Sequence, residues 1–244
     1  MSTSSGMDVQ KVREGLWRWL LPHPAWTPDR DRPGGWGQFV GSVYYEAADA
    51  LVLIDPLAPA ERTPDAAEFW KALDADVLRL DRSVVILIGS VDHGRAADRI
   101  AARYRKRGND VAVVGSRKIR DHVACRLTAT LEQAELPAGV EAHPIVGMSP
   151  GEVAYVLKPP RAIVFADAVI GIGGGRVGVA PISWGVRTPA GRSTYTRSFR
   201  RSISALLDRK PSILLPSHGK PVLTGGARAL RTAVSAPAWG EKGV

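Results

Sequence analysis

An α/β fold, with sheets covered by helices, is what this sequence predicts, and three observations predict it. Short apolar runs of strand length recur along the chain, among them ALVLI at 50–54 and SVVILIG at 83–89. Between such runs lie segments whose apolar residues return every three or four positions, the spacing of amphipathic helices. Polar groups that do chemistry sit where the apolar runs stop: Asp55, Asp92-His93, Asp167 and His218. Alternating strands and helices bury sheet faces under helices, and α/β proteins place their ligands where strand ends converge. At 244 residues and 45% hydrophobic content, the chain suits a single core in one domain.

Taken in order, residues 1–11 are polar and expected to be disordered, 12–234 form the domain, and 235–244 read as a flexible tail. GSVYYEA from Gly41 and ALVLIDPLAP from Ala50 are two strands joined by a tight turn at Asp49. Thr63-Pro64-Asp65 supplies an N-cap, a first-turn proline and an early acid, opening a helix whose Phe69, Trp70 and Leu73 share a face. SVVILIG follows as a strand buried on both faces and runs into Ser90-Val91-Asp92-His93. RAADRIAARYRKR is a helix stopped by Gly108, and 110–114 is a strand. Residues 117–136 fit helix and strand equally. EVAYVLK, a Pro159-Pro160 turn and RAIVFAD form a hairpin that delivers Asp167, residues 194–209 form a helix with Phe199, Ile203, Leu206 and Leu207 inward, and SILLPSHG delivers His218.

Composition narrows the function classes. Cys125 is the one cysteine, so an intramolecular disulfide and a thiolate metal cluster are both excluded, and any metal must be held by His, Asp or Glu. No apolar run reaches membrane-spanning length and the N-terminus lacks a signal-type apolar segment, so a cytoplasmic protein with no membrane contact is expected. The net charge of +9, from 33 Lys+Arg against 24 Asp+Glu, is compatible with an anionic partner. Arginines are nevertheless scattered from Arg13 to Arg231 and lack the interleaved aromatics of a single-strand binder, so a solvated surface is the preferred account and nucleic acid is not the expected partner.

Two imidazoles and two carboxylates, from Asp92, His93, Asp167 and His218, suit zinc, iron or manganese if they meet. Their order and context resemble the metallo-β-lactamase superfamily, from about Val12 to Thr224. IDPLAP resembles that family's strand ending in a bracing aspartate, here Asp55. The HxHxDH box falls on Ile88 to His93: Asp92 and His93 match, whereas Ile88 and Ser90 stand where the first two histidines belong. GMSPGEVAYVLKPPRAIVFADAVIG resembles the hairpin leading to the bridging aspartate, with Asp167 matching and Glu152 in the place of a histidine, and LLPSHGKP resembles the closing signature through His218.

The resemblance implies an αββα sandwich in which the three ligands of one metal are altered and the four of the other are kept. It therefore implies a mononuclear hydrolase acting on an ester, thioester, lactone or amide, with one divalent ion, zinc foremost, at Asp92, His93, Asp167 and His218. Water activated there would be the nucleophile, with Asp92 or Asp167 as general base, and Glu152 as a further base, an oxygen ligand or a surface carboxylate. The alternatives are an inactive relative that binds a small molecule or protein, and nucleic-acid processing. The expected partner is a small-molecule substrate, with an anionic one accommodated by the basic residues.

His23, boxed between prolines, with Trp184, Tyr195 and Arg187, are the candidate substrate contacts. The competing account makes His23 a packed surface loop residue and the arginines of 187–201 the wet face of a helix. Trp26 and Trp36 line a pocket or pack in a core. His122 and His143 read as surface residues, Cys125 as core, and Gly171–Gly175 as a flexible loop, because no helix follows to make a nucleotide fingerprint.

Overall fold

Each apolar run that reads as a strand has a second demand on it: alternate side chains must find different neighbours. The computed structural model, which describes residues 6–32, 34–185 and 189–240, meets that demand with two facing sheets. The first contains β1 (Asp8–Arg13), β2 (Leu16–Pro22), β3 (Phe39–Glu46), β4 (Ala50–Ile54), β5 (Ser83–Ile88), β6 (Val111–Gly115) and β7 (Ala129–Thr130) in chain order. Strands β1 to β4 pair antiparallel and β4 to β7 parallel. The second contains β8 (Val140–Pro144), β9 (Val153–Leu157), β10 (Ala162–Phe165) and, beyond the separate hairpin of β11 (Val169–Gly173) and β12 (Arg176–Val179), β13 (Ile213–Pro216) parallel to β10.

The period of two along the strands sorts the core into three clusters. On β4, Leu51 and Leu53 pack outward with Phe69, Leu73 and Val77 of α1 (Pro64–Leu80) and Ile100 and Tyr104 of α2 (Ala97–Lys106). Val52 and Ile54 instead face Tyr155, Leu157, Val164 and Leu215 of the second sheet. On β10, Ile163 and Phe165 pack against Phe199, Ile203, Leu206 and Leu230. These come from a helical run over 189–209 and from α5 (Gly226–Ser235). The layers are helix, sheet, sheet, helix, in one domain. Among the described residues, no helix is long and apolar enough to cross a membrane.

Local chemistry sets the boundaries. Thr63 caps α1, its Oγ1 accepting from the Ala66 amide at 3.2 Å, with Pro64 in the first turn. The expected helix over 194–209 is part of a longer interrupted run: α3 (Pro189–Thr194), a π-turn at Tyr195–Phe199, α4 (Arg200–Ser204) and a 3₁₀ turn at Ala205–Arg209. The ambiguous stretch 117–136 is mostly irregular, with only a 3₁₀ turn at Arg117–Ile119 and the short β7.

Three expectations are corrected. Residues 8–11 belong to β1, an edge strand whose exposed side chains hide it from a burial pattern and which forms by backbone pairing to β2. Residues 171–173 end β11 and 174–175 form the turn of the β11–β12 hairpin, with Gly173, Gly174 and Gly175 all at positive φ, rather than a loose loop. The tail is tied down as far as Trp239, whose amide donates to the Val179 carbonyl at 2.9 Å while Ala238 is buried.

Glycine is required where β11 meets the turn after β13. The Gly171 amide donates to the His218 carbonyl at 2.9 Å, and a Cβ on Gly171 would lie 1.9 Å from the Lys220 carbonyl oxygen. Backbone cannot yield as a side chain can. Gly171→Ala should therefore destabilise the protein by about 1–3 kcal/mol, the usual cost of overpacking, read as a lower denaturation midpoint; an unchanged midpoint would show that the two segments can separate freely.

Candidate metal centre

The parallel strand pairs β4–β5 and β10–β13 end at the same edge of the two sheets, and the chain's polar strand-end residues meet there. Asp55 follows β4 in the left-handed region, φ 49°, a cost that a non-glycine residue bears only when its surroundings enforce it. Here the enforcement is mutual. Asp55 Oδ1 accepts from the Gly89 amide at 2.7 Å, and Gly89 is close enough that a Cβ would stand 2.9 Å from Asp55 Oδ2. The two sheets are also joined at this point, since the Val153 amide donates to the Gly89 carbonyl and the Tyr155 hydroxyl to that of Ile88, each at 2.8 Å.

His93 ends a 3₁₀ turn, Val91–His93, and is buried. Its Nδ1 lies 2.7 Å from Asp55 Oδ2, which points Nε2 into the site. That nitrogen is 3.1 Å from Asp167 Oδ1, and His218 Nε2 approaches the same oxygen at 3.1 Å. Donor atoms of His93, Asp167 and His218 all lie within 4.8 Å of one another. Two imidazole nitrogens and a carboxylate at such spacing could hold one metal ion, zinc, iron or manganese by donor type. The carboxylate behind His93 is the partner that orients metal-binding histidines. Asp92 is not in this set: the tight turn sends its side chain to the cavity wall, where it is exposed.

Glu152 proves to be a different kind of residue from any weighed in the sequence. It is 1% exposed, so it is no surface carboxylate, and it lies outside the three-donor cluster. Its Oε1 accepts from the amides of Asp167 at 2.8 Å and Ala168 at 2.9 Å, fixing the backbone that carries Asp167, while Oε2 is buried without a partner. Ile88 is core and Ser90 is buried with its Oγ unpartnered, so the positions opposite Glu152 contribute no ligand.

One residue of the centre escaped the sequence altogether. Arg95, also at positive φ, 35°, folds its guanidinium into the site. Nη1 donates to the carbonyls of Asp55 at 3.1 Å and Gly41 at 3.3 Å; Nη2 donates to Ser217 Oγ at 2.8 Å and lies 3.3 Å from His93 Nε2. An arginine in a helix-like RAADR context carries no signal of this. A second buried arginine, Arg18, holds the turn bearing His218, its Nη2 donating to the carbonyls of Pro216 and Gly219.

Above the donors opens a cavity of about 600 Å³, lined by residues that include His23, Trp36, Asp92, Arg95, Trp184 and His218. Trp36 and Trp184 stand edge-on to the His218 ring, at 5.1 and 5.2 Å, and His23 meets Trp36 at 5.0 Å. Trp26 supports from behind, its Nε1 donating to the Trp36 carbonyl. Tyr195 is a correction: it is buried, donates to the Ala180 carbonyl and stacks on Phe199 in the core away from this cavity. Arg187 lies outside the described residues. His122 is exposed, His143 is bonded to the Ser202 carbonyl, and Cys125 is buried with its thiol pushed up to about 11, chiefly by desolvation.

Electrostatics divides the cluster. Burial and Arg95 oppose a charge on His93, but Asp167 and Asp55 outweigh them and raise it to about 9. Burial opposes the charge on Asp167 as well, yet His93 and the hydrogen bonds from His218 and His93 hold it well below the usual carboxylate range. Burial, with Asp167 nearby, raises Glu152 to about 8. Desolvation lowers His218, and desolvation with Arg95 lowers His23 to about 4.

Two sheets face to face between helices, with an Asp/His cluster at their joined strand ends, define the metallo-β-lactamase fold, and comparison with solved structures agrees. The chain is similar to a metallo-β-lactamase from Hirschia baltica (14% identity, 94% of this chain and 96% of that one, TM-score 0.62) and to one from Pontibacter korlensis (15%, 93% and 99%, 0.61). It is also similar to a metallo-β-lactamase family protein from Thermus thermophilus (16%, 92% and 78%, 0.55). At such identities the likeness shows the fold. No family model and no curated protein sequence matches the chain.

The titration of the ion-free protein follows from these shifts. Asp167 stabilises the fold above its ordinary pKa of 3.8, and that contribution is lost as pH falls towards its depressed folded value. Glu152, raised from 4.5 to about 8, and His93, raised from 6.5 to about 9, stabilise it while protonated. Those contributions are complete below 4.5 and 6.5 and are gone as pH rises through about 8 and 9. His23 and His218, lowered from 6.5, act in the opposite sense, but their contributions are complete above pH 6.5. The melting temperature of chelator-treated protein should therefore fall from pH 6.5 to pH 9, and Glu152→Gln should flatten the part of that fall below about pH 8. A melting temperature that climbs across this range would contradict the charge assignment.

Proposed function

We propose that this protein is a metal-dependent hydrolase with a single divalent ion at His93, Asp167 and His218, zinc foremost, acting on an ester, thioester, lactone or amide. The observation that carries the reading is the convergence of three donor atoms within 4.8 Å at the base of a cavity, on a fold shared with metallo-β-lactamases. A bound divalent ion supplies Lewis-acid polarisation of a carbonyl and acidifies water towards neutral pH.

The chain's own residues have separate tasks in this reading. Asp55 keeps the proton on Nδ1 of His93 and so keeps Nε2 free for a ligand. Glu152 holds the Asp167 amide, and Arg18 the His218 turn. Asp92, outside the donor set but on the cavity wall, is our choice for the base that takes a proton from water. Trp36 and Trp184 shield the flanks of His218 from solvent.

His218→Ala and Asp167→Asn should each abolish stoichiometric ion in protein purified without chelator. Asp55→Asn should weaken ion binding about 10–100-fold, as loss of an outer partner does, and Asp92→Asn should keep the ion while losing about 10²–10⁴ in kcat. Elemental analysis with esterase, thioesterase and lactonase assays reads all four. Full ion in His218→Ala would refute the site, and loss of the ion in Asp92→Asn would make Asp92 a ligand instead.

One observation favours a second reading, an ion-free binding protein: the Arg95 guanidinium stands 3.3 Å from the nitrogen that would ligate. Two cations so close repel. Arg95→Gln should therefore bind zinc about tenfold or more tightly than the wild type by competition titration. Equal affinity would remove Arg95 as an antagonist of the ion, and no binding by either protein would leave the binding-protein reading standing.

A further inference from the structure

The walls of the cavity differ in charge from its base. Residues 29–32 read Asp-Arg-Asp-Arg, and the alternation is sorted by the fold: Arg30 and Arg32 line the cavity, whereas Asp29 and Asp31 do not. The loop is ordered by its own backbone, with the Arg30 amide donating to Thr27, Gly35 to Arg32 and Trp36 to Arg30, at 2.8 to 3.0 Å. Gly35 closes it so tightly that a Cβ there would lie 1.9 Å from the Arg30 carbonyl oxygen. It is pinned across the mouth by Trp184, whose Nε1 donates to the Gly34 carbonyl at 2.7 Å.

The two guanidiniums are therefore presented to the cavity, and although both act at a distance on Asp29, neither is held in a contact ion pair. Among the described residues neither has an acidic group within ion-pair distance or a side-chain hydrogen bond; Arg30 only leans over the Trp36 ring, 5.6 Å from its centre. Arg95 adds a third cation to the lining, and of the two lining carboxylates Asp167 is already engaged by His93 and His218. The volume of about 600 Å³ is that of a small-molecule site. Trp36 and Trp184 offer indole surface on either hand of His218, which suits a flat apolar group.

Building on the hydrolase reading, we propose that the cavity selects a substrate bearing an oxyanion, a carboxylate or a phosphate, held by Arg30 and Arg32, with a planar apolar portion against Trp36 and Trp184. The bond to be cleaved then lies towards His218 and Asp167. Recognition of the anion belongs to Arg30 and Arg32 and not to the donor cluster, so it survives removal of any ion.

The test is a ligand-observed NMR titration of benzoate, phenyl phosphate and uncharged benzamide against wild-type protein and an Arg30→Gln/Arg32→Gln variant. Each is measured as purified and after dialysis to remove divalent ions. At least one of the two anions should bind tenfold or more tightly than benzamide to dialysed wild-type protein and lose that advantage in the variant, whose melting temperature should be unchanged because both side chains are exposed. Preference for phenyl phosphate identifies a phosphate-bearing substrate, and preference for benzoate a carboxylate. Benzamide binding as tightly as both anions, or anion affinity unaffected by the variant, overturns the proposal. Absence of ion and of hydrolysis in the as-purified protein would instead count against the hydrolase reading, since the dialysed titration reads the anion site on its own.

Discussion

The contact between His93 Nδ1 and Asp55 Oδ2 is the constraint on which the centre depends. It ties the end of β4 to the turn after β5 and chooses which imidazole nitrogen faces the cavity. The contact requires Asp55 to occupy the left-handed region and Gly89 to have no side chain. The Gly89 carbonyl, on the residue's far side, receives the Val153 amide of the second sheet. A local geometry at one residue is thereby coupled to the mutual placement of the sheets, and so to the distance between His93 on one and Asp167 and His218 on the other.

The layer order and strand ends were legible in the sequence because they follow from burial. A strand such as ALVLI, apolar at every position, has to be covered twice, and a helix such as α1 announces itself by a cap and a stripe. Asp55, His93, Asp167 and His218 were visible for a related reason: a polar residue directly after a buried strand lies at an edge where something must partner it. β1 was not legible, since its side chains are largely exposed and its stability resides in backbone pairing. The interrupted helix over 189–209 was equally hidden, because its π and 3₁₀ segments preserve the inward apolar spacing that a regular helix would show.

Side-chain destinations were the least legible feature. Asp92 and His93 are neighbours in sequence, yet one side chain enters the cluster and the other stays on the wall, a difference set by the 3₁₀ turn and not by residue type. Glu152 heads a buried strand, a position in which a carboxylate must find donors. The donors it finds are backbone amides fifteen and sixteen residues ahead, and no local pattern encodes that distance. Tyr195 sits among arginines in the sequence but faces the core, because the π-turn stacks it on Phe199.

The side of the cluster bordered by Ile88, Ser90 and Glu152 has a physical sense of its own. Ile88 and Ser90 are withdrawn into the core, and Glu152 turns its oxygen to the backbone, so the side of the cluster they border offers no ligands. Positive charge is nonetheless present there, in the form of Arg95. A guanidinium is held by directional bonds to fixed carbonyls and a hydroxyl, cannot be chelated away, and keeps its charge at every physiological pH. Its burial is unfavourable, and burial does depress its pKa, but Asp55 and Asp167 act against that depression. The centre is thus balanced between a covalently attached cation that clamps the strand ends together and a three-donor face open to the cavity. A side without donors and a side carrying an arginine are two parts of a single electrostatic arrangement.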